Sequence, residues 1–135
     1  MYPWRTLLPL LIVGCTRTNA AVLDQSIHLA RTCEEGIVMY TTPEKAPAGY
    51  KEVALLNATG STSFTSEAGM MKSMRKKAAE VGATGIILGG ISEPGAGAKI
   101  AGAVLGTGTE RKGKAVAIYT PDDTARVTKA CAVKQ

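Results

Sequence analysis

The segment 64–91 constrains the fold most, because it combines an amphipathic helix, a glycine stop and an apolar run of strand length. At about 100° per residue, one arc of the helix carries its apolar side chains: Met70, Met71, Met74, Ala78 and Val81. The opposite side carries Lys72, Lys76, Ala79 and Glu80, with Arg75 and Lys77 on the flanks. Ser66 or Thr65 is the predicted N-cap, and Gly82 the predicted end. The helix is therefore expected to lead directly into a buried strand at 85–89.

Three further apolar runs have the length and composition of strands. They cover residues 36–41, 51–56 and 114–120. The resulting order, β-β-α-β-β, predicts an α+β domain with a mostly antiparallel or mixed sheet and one helix on a face. The domain is expected to span 34–121, with a C-terminal tail at 122–135. Because the chain has one Phe and one Trp, the core must be built from Val, Ile, Leu, Met and Ala.

The first fifteen residues have the layout of a secretory signal or membrane anchor. An arginine is followed by an apolar run, a small residue and Cys15. The sequence Ile-Val-Gly-Cys at 12–15 resembles a bacterial lipobox, which implies that Cys15 is lipidated and that 1–14 is the signal or anchor segment. The alternatives are an uncleaved interfacial segment and a buried soluble segment, since the run is shorter than the ~20 residues that span a bilayer. Residues 15–33 are expected to form a tether, in which the apolar residues at 21–30 could make a marginal helix or a short edge strand.

Cys33 and Cys131 remain once Cys15 is assigned to lipid. In an exported protein, two such cysteines most simply form a disulfide, here joining the two ends of the predicted domain. In a cytosolic protein both would stay reduced. A redox-active pair would need a Cys-x-x-Cys arrangement, which the sequence lacks.

The segment 89–113, between the third and fourth predicted strands, is rich in glycine and too long for a tight hairpin. It completes neither a Walker loop nor a dinucleotide-binding fingerprint. We expect an extended arm that contacts a partner, with a flexible lid and a disordered surface loop as alternatives. The arm residues expected to contact the partner are Gly95, Gly97, Ile100, Val104, Leu105, Gly106 and Gly108.

The titratable residues favour binding over catalysis. His28 is the one histidine, and no catalytic triad or metal-ligand spacing is present, so no catalytic residue, metal, cofactor or small-molecule substrate is predicted. The formal charge is +5, with a dense basic set on the helix. Nucleic acid is not expected, because stacking aromatics are scarce. The basic residues are instead predicted to contact an acidic protein face or anionic lipid. They are Lys77, Arg111, Lys112 and Lys114 together with the three named as partner-binding residues, Lys72, Arg75 and Lys76.

The run Met-Arg-Lys-Lys-Ala-Ala-Glu-Val-Gly-Ala-Thr-Gly-Ile-Ile at 74–87 resembles the Rcs stress-sensor lipoprotein family and the YbjQ-like small domains of bacterial envelopes. The resemblance implies an α+β domain in which a helix ending in a Gly-Ala turn leads into a core strand. The sensor family carries two disulfides, whereas this chain has only Cys33 and Cys131 available for one. No functional residue is carried over from the resemblance.

These observations lead to a predicted function. The chain is expected to be a non-catalytic accessory or scaffold subunit, lipid-anchored in the bacterial cell envelope and facing the periplasm. Its expected partners are the membrane surface and a membrane protein complex. The alternatives are an envelope stress sensor and a small hydrolase or ligand-binding domain that uses the glycine-rich segment as a lid.

Overall fold

A computed structural model describes residues 16–61, 66–92 and 110–133. The regular elements, in chain order, are β1 (Arg17–Val22), β2 (Val38–Tyr40), β3 (Lys51–Ser61), α1 (Glu67–Glu80), β4 (Gly85–Ser92), β5 (Glu110–Tyr119) and α2 (Thr124–Ala132). Short 3₁₀ turns lie at Glu34–Gly36, Pro43–Lys45 and Pro121–Asp123. The predicted α+β class is confirmed. Two elements are added to the predicted order: a strand before it and a second helix after it.

The five strands form one mixed sheet in the order β1-β3-β5-β4-β2. Every pair is antiparallel except β2 and β4, which run parallel. The strand that comes last in the chain, β5, lies at the centre, and the two edges are β1 and β2.

One face of the sheet packs against α1, and most of its buried residues in β3 and β5 are alanines. Alternate positions of β3 and β5 are fully or almost fully buried on this side: Ala54, Leu56, Ala58, Ala115 and Ala117. They form one cluster with Ile86 of β4 and with Met70, Met74 and Ala78 of α1. Because alanine projects little from the sheet, α1 approaches closely and its long methionines fill the remaining space.

The ends of α1 lie where the sequence predicts them. The Ser66 hydroxyl accepts a hydrogen bond from the Gly69 backbone N–H at 3.0 Å. Gly82 follows the helix with a φ of 79°, a conformation that favours glycine. The prediction for Ala79 is wrong. It is predicted on the exposed side, but it is 5% exposed, because the segment before the first 3₁₀ turn crosses it and the Thr32 N–H donates to its carbonyl at 3.0 Å.

The predicted tether and tail both contain regular structure. β1 lies within 15–33 and pairs antiparallel with β3 over six residues. α2 occupies most of 122–135. The predicted strands also differ in length: β2 is shorter than 36–41, while β3 and β4 extend beyond 51–56 and 85–89. Neither described helix has the length and apolar character needed to cross a membrane.

α2 closes the end of the sheet at which β4 begins, and we call this the capped end. The predicted disulfide is confirmed: Cys131 of α2 bonds to Cys33, with Cα atoms 5.6 Å apart and a sequence separation of 98. The Arg126 guanidinium donates to the carbonyls of Gly36 at 2.9 Å and Thr84 at 3.3 Å. Val127 packs on Gly36, where a Cβ would lie 2.7 Å from its Cγ1.

Candidate partner-binding surfaces

The sheet face opposite α1 is the first candidate surface. Strand alternation and the pairing register bring to it side chains from the three strands β1, β3 and β5. We define the open face by these residues: Arg17, Asn19, Ala21, Leu55, Asn57, Thr59, Lys112, Lys114 and Val116. All nine are exposed or half-buried. In contrast, their neighbours on the helix side, such as Leu56 and Ala115, are buried.

A shallow groove of about 300 Å³ lies on the open face, lined by Leu55, Asn57, Gly89, Lys114 and Val116 together with the strand backbone. Leu55 is 43% exposed, which is high for a leucine in an inner strand. The β4–β5 register shifts between Leu88 and Gly90, and a Cβ at Gly89 would lie 3.1 Å from the Lys114 carbonyl oxygen. The bulge therefore brings β4 backbone close to the lysine end of the groove.

Three cations lie at one corner of the open face, which we call the basic corner: Arg17, Lys112 and Lys114. Arg17 and Lys112 both pair with Thr59, so they are level with each other and two strand spacings, or about 10 Å, apart. Lys114 follows Lys112 on the same face at about 7 Å. The β3–β5 register continues past this corner to Ser61 and Glu110, so the strand places an acidic residue next to the cations on the same face.

The basic residues predicted to bind a partner on α1 lie on the other side of the domain. Lys72 and Lys76 are exposed, as predicted for a contact surface. Arg75 is half-buried, and its Nε finds no hydrogen-bond partner among the described residues. Lys77 pairs with Glu80 at 2.9 Å, and the hydrogen bond from Lys77 holds the pKa of Glu80 below its usual value. Because α1 covers the opposite sheet face, these lysines and the basic corner form two separate surfaces.

The other predicted site residues lie outside the described residues. They are Cys15, Gly95, Gly97, Ile100, Val104, Leu105, Gly106 and Gly108. The described part of the predicted 89–113 arm belongs to the sheet, since β4 extends to Ser92 and β5 begins at Glu110. Both lysines of the basic corner are therefore strand residues.

A second cavity, of about 220 Å³, lies at the capped end between α2 and the segment 29–32. Its lining combines hydroxyl and aliphatic side chains, including Thr32, Thr84, Tyr119, Thr124 and Val127. Thr84 is already engaged, since its hydroxyl accepts a hydrogen bond from the Thr120 N–H at 2.9 Å. Within the described segments no three His, Cys, Asp or Glu residues converge as metal ligands would.

Two other pKa shifts have local causes. Burial raises the pKa of Tyr40, and the nearby Asp123 carboxylate raises it further. Hydrogen bonds from the Ser26 hydroxyl and N–H lower the pKa of Asp24, which is fully exposed. Tyr40 lies at the capped end with Asp123, whereas Asp24 sits in the turn after β1. Neither group faces the groove.

The open face and its groove were not predicted from the sequence, because the registers of β1 and β5 on β3 were unknown. Only the alternation of apolar and polar residues from Leu55 to Thr59 hinted at a sheet with one exposed side.

Comparison with known proteins supports the fold. No protein-family model matches this chain, and no curated protein matches it in sequence. Among solved structures, the crystal structure of the Francisella virulence factor FvfA matches with a TM-score of 0.54. The match covers 76% of this chain and 96% of FvfA at 15% sequence identity. At that identity the likeness concerns the arrangement of strands and helices, so this chain is similar in fold to a bacterial virulence factor.

Proposed function

We propose that this protein is a non-catalytic accessory subunit, anchored by lipid on Cys15 in a bacterial envelope and binding a membrane protein complex on the periplasmic side. The lipobox-like sequence at 12–15 supports the anchor. The Cys33–Cys131 disulfide supports an oxidising compartment, because thiols in the cytosol are kept reduced.

The observation that carries the binding role is the groove on the open face. Leu55 is 43% exposed and Val116 is half-buried beside it, although both lie on inner strands of the sheet. Exposed apolar side chains at a concave site, bordered by polar residues, are typical of protein–protein contacts. Asn57 and Lys114 provide that border.

The groove fits a partner segment of defined chemistry. An aliphatic or aromatic side chain would cover Leu55 and Val116, and a neighbouring carboxylate would pair with Lys114. Such a segment would belong to the part of a membrane protein that lies outside the bilayer, since the anchor keeps the domain near the membrane. Lys72, Arg75, Lys76 and the glycine-rich arm stay predicted as further contacts.

A photo-crosslinking amino acid at Asn57, which is exposed at the groove, tests the proposal in intact cells. We expect one discrete adduct whose partner is identified as a membrane protein subunit. Leu55→Asp should abolish the adduct by placing a charge against the apolar contact. Leu23→Asp is the matched control, because Leu23 is 48% exposed and lies outside the groove. An adduct that survives Leu55→Asp, or that contains no membrane protein, would overturn the binding role.

The second candidate is an envelope stress sensor, which the resemblance of 74–87 to the Rcs stress-sensor family supports. A sensor changes its partner with envelope state, whereas a scaffold keeps one. The same crosslink therefore separates the two roles: under envelope stress, a sensor gives a new adduct at residue 57, and a scaffold keeps the original one.

A further inference from the structure

The two edge strands of the sheet differ in their protection against pairing with another chain. β2 is three residues long and is followed closely by Pro43, and short length and proline both protect an edge. β1 is six residues long, pairs with β3 without a register shift, and contains neither proline nor lysine. Val22 and the following Leu23 are 44% and 48% exposed. Within the described segments, the outer edge of β1, on the side away from β3, is therefore open to a further strand.

The hydrogen bonds between β1 and β3 determine which backbone groups of β1 point outward. The Leu23 N–H donates to the Val53 carbonyl at 2.9 Å, and this pair continues the register of the two strands. In an antiparallel pair, residues that exchange hydrogen bonds with the neighbour alternate with residues whose N–H and C=O groups point away from it. Counted back from Leu23, the outward groups belong to Thr18, Ala20 and Val22. Donors and acceptors in this arrangement match an extended backbone.

The two ends of β1 carry opposite charges. Arg17 begins the strand, and Asp24 lies two residues beyond Val22. Both are exposed, and neither forms an ion pair within the described part of the chain. Hydrogen bonds from the Ser26 hydroxyl and N–H lower the pKa of Asp24, and both go to Oδ1, which leaves Oδ2 for a cation. Because antiparallel strands pair start to end, a second copy of β1 would bring Asp24 to Arg17 at both ends of the pair.

We infer that β1 is a self-association site, at which two copies of this chain pair β1 with β1 antiparallel about a two-fold axis and join their sheets into one. The register centred on Ala20 brings all the outward residues together, because Ala20 then faces Ala20 of the second copy and Thr18 faces Val22. Each facing pair exchanges two backbone hydrogen bonds. Two-fold registers centred one residue to either side would pair only part of these groups within β1.

The same register also matches the side chains. Arg17 faces Leu23 of the second copy, so its aliphatic part covers this exposed leucine, and the next residue is Asp24, with its Cα about 6 Å from that of Arg17. The two arginines lie about 20 Å apart, so like charges do not meet. A hydrogen bond of 2.6 Å joins the hydroxyls of Thr18 and Ser73 and fixes the strand against α1 before it pairs. The groove stays open, because β3, β4 and β5 line it. The inference thus goes beyond the proposed function and needs neither the lipid nor the groove.

Single cysteines test the register, in a chain with Cys15→Ser so that the added thiol is the only one outside the Cys33–Cys131 disulfide. Asn19 faces Ala21 of the second copy in a pair without hydrogen bonds, with Cα atoms about 4.5 Å apart, which suits a disulfide. Differently tagged Asn19→Cys and Ala21→Cys chains are coexpressed in a bacterial envelope and oxidised, because so short a pairing is weak and reversible. We expect about fivefold more crosslinked dimer from the mixed pair than from either variant with itself, since like positions lie about 8 Å apart.

Reversing the end charges tests the ion pairs in the same crosslinking experiment. Arg17→Asp sets two carboxylates against each other and Asp24→Arg sets two guanidinium groups against each other, so each should lower the yield about threefold. The double variant restores opposite charges and should restore the yield. Ala20→Pro removes an outward N–H without removing a hydrogen bond to β3, and should lower the yield about tenfold.

Several outcomes would overturn the inference, and none of them bears on the lipid anchor or the groove. Equal yields from the mixed and the like pairs show random collision, and a dominant crosslink between like positions shows a different register. A double charge variant that stays as weak as the single ones shows that Arg17 and Asp24 do not meet. If no pair gives a crosslink, the outer edge of β1 is left to an extended segment of another protein. A dominant mixed pair, together with rescue by the double charge variant, confirms the self-association.

Discussion

At the capped end of the sheet, several kinds of contact close the fold: the Cys33–Cys131 bond, the Arg126 guanidinium on two backbone carbonyls, and Val127 against Gly36. At the opposite end, the described open-face side chains are mostly exposed and polar or charged, and the basic corner lies there. The comparison shows a division of roles. Contacts that stabilise the domain are concentrated at the capped end, so the polar and charged side chains at the opposite end are not needed to hold the fold together. Four predictions test this division, from the largest effect to the smallest.

Removing the disulfide should have the largest effect on the capped end. In the chain-entropy model, Cys33→Ser with Cys131→Ser lowers the free energy of unfolding by about 4 to 5 kcal/mol, because the bond closes a loop of 98 residues. Guanidinium unfolding of oxidised wild type and double variant measures the loss. Reduced wild type is the control and should match the variant. A loss below about 1 kcal/mol would show that α2 is held mainly by its other contacts.

Gly82→Ala should have the second-largest destabilising effect on the capped end. Gly82 has a φ of 79°, and a Cβ there would meet the Leu29 side chain and lie 2.7 Å from the Ala30 carbonyl oxygen. The left-handed backbone alone costs about 1 to 2 kcal/mol with a side chain, and the steric contacts add to it. Gly49→Ala isolates the backbone part, because Gly49 has a φ of 77° with nothing within 4 Å of its Cβ position. Equal losses of unfolding free energy would refute the close approach of the 29–30 segment.

Arg126→Met should cost less, about 1 to 2 kcal/mol. The guanidinium donates to two carbonyls, but its side chain is 40% exposed, so water replaces part of what is lost. Lys129→Met on the same helix is the control and should change stability by less than about 0.5 kcal/mol, since Lys129 is exposed. The melting temperatures of the two variants and the wild type, measured at the same pH, distinguish these effects. Identical melting temperatures would show that Arg126 does not join α2 to the sheet.

The basic corner should give the smallest change. Arg17→Gln with Lys112→Gln and Lys114→Gln is expected to alter the free energy of unfolding by no more than about 0.5 kcal/mol per site. The three exposed side chains lie on the sheet face that α1 does not cover. Denaturant unfolding without lipid checks the value. A large loss would mean that the corner is part of the stabilising framework, and the division between the two ends would fail.

Much of the fold could be predicted from local sequence patterns. The methionine stripe of α1, the Ser66 cap and the Gly82 stop each depend on neighbours in sequence, and all three are found in the structure. The disulfide was predictable from cysteine count and inferred compartment. In contrast, β1 was predicted only as one alternative within the tether, because half of Arg17–Val22 is polar and its burial alternates only weakly. α2 escaped because Val127 is its one buried residue.

The surfaces were less predictable than the fold, since they depend on register and on contacts between distant segments. Helical periodicity alone predicts that Ala79 is exposed. In the structure, a segment some fifty residues earlier in the chain covers Ala79, and its Thr32 N–H donates to the Ala79 carbonyl. The helical periodicity of α1 predicted that Lys72 and Lys76 are exposed, and the structure confirms it. The association of Arg17 with Lys112 needed the pairing of both residues with Thr59, which no local pattern encodes.

The strand order has a consequence for biogenesis. β5 inserts between β3 and β4, yet it is translated after both. A chain that emerges from its N-terminus onward must therefore leave β3 and β4 apart, with unpaired edges, until Glu110–Tyr119 has followed them. The sheet closes only as synthesis nears its end, and until then these two edges are open to pairing with other chains.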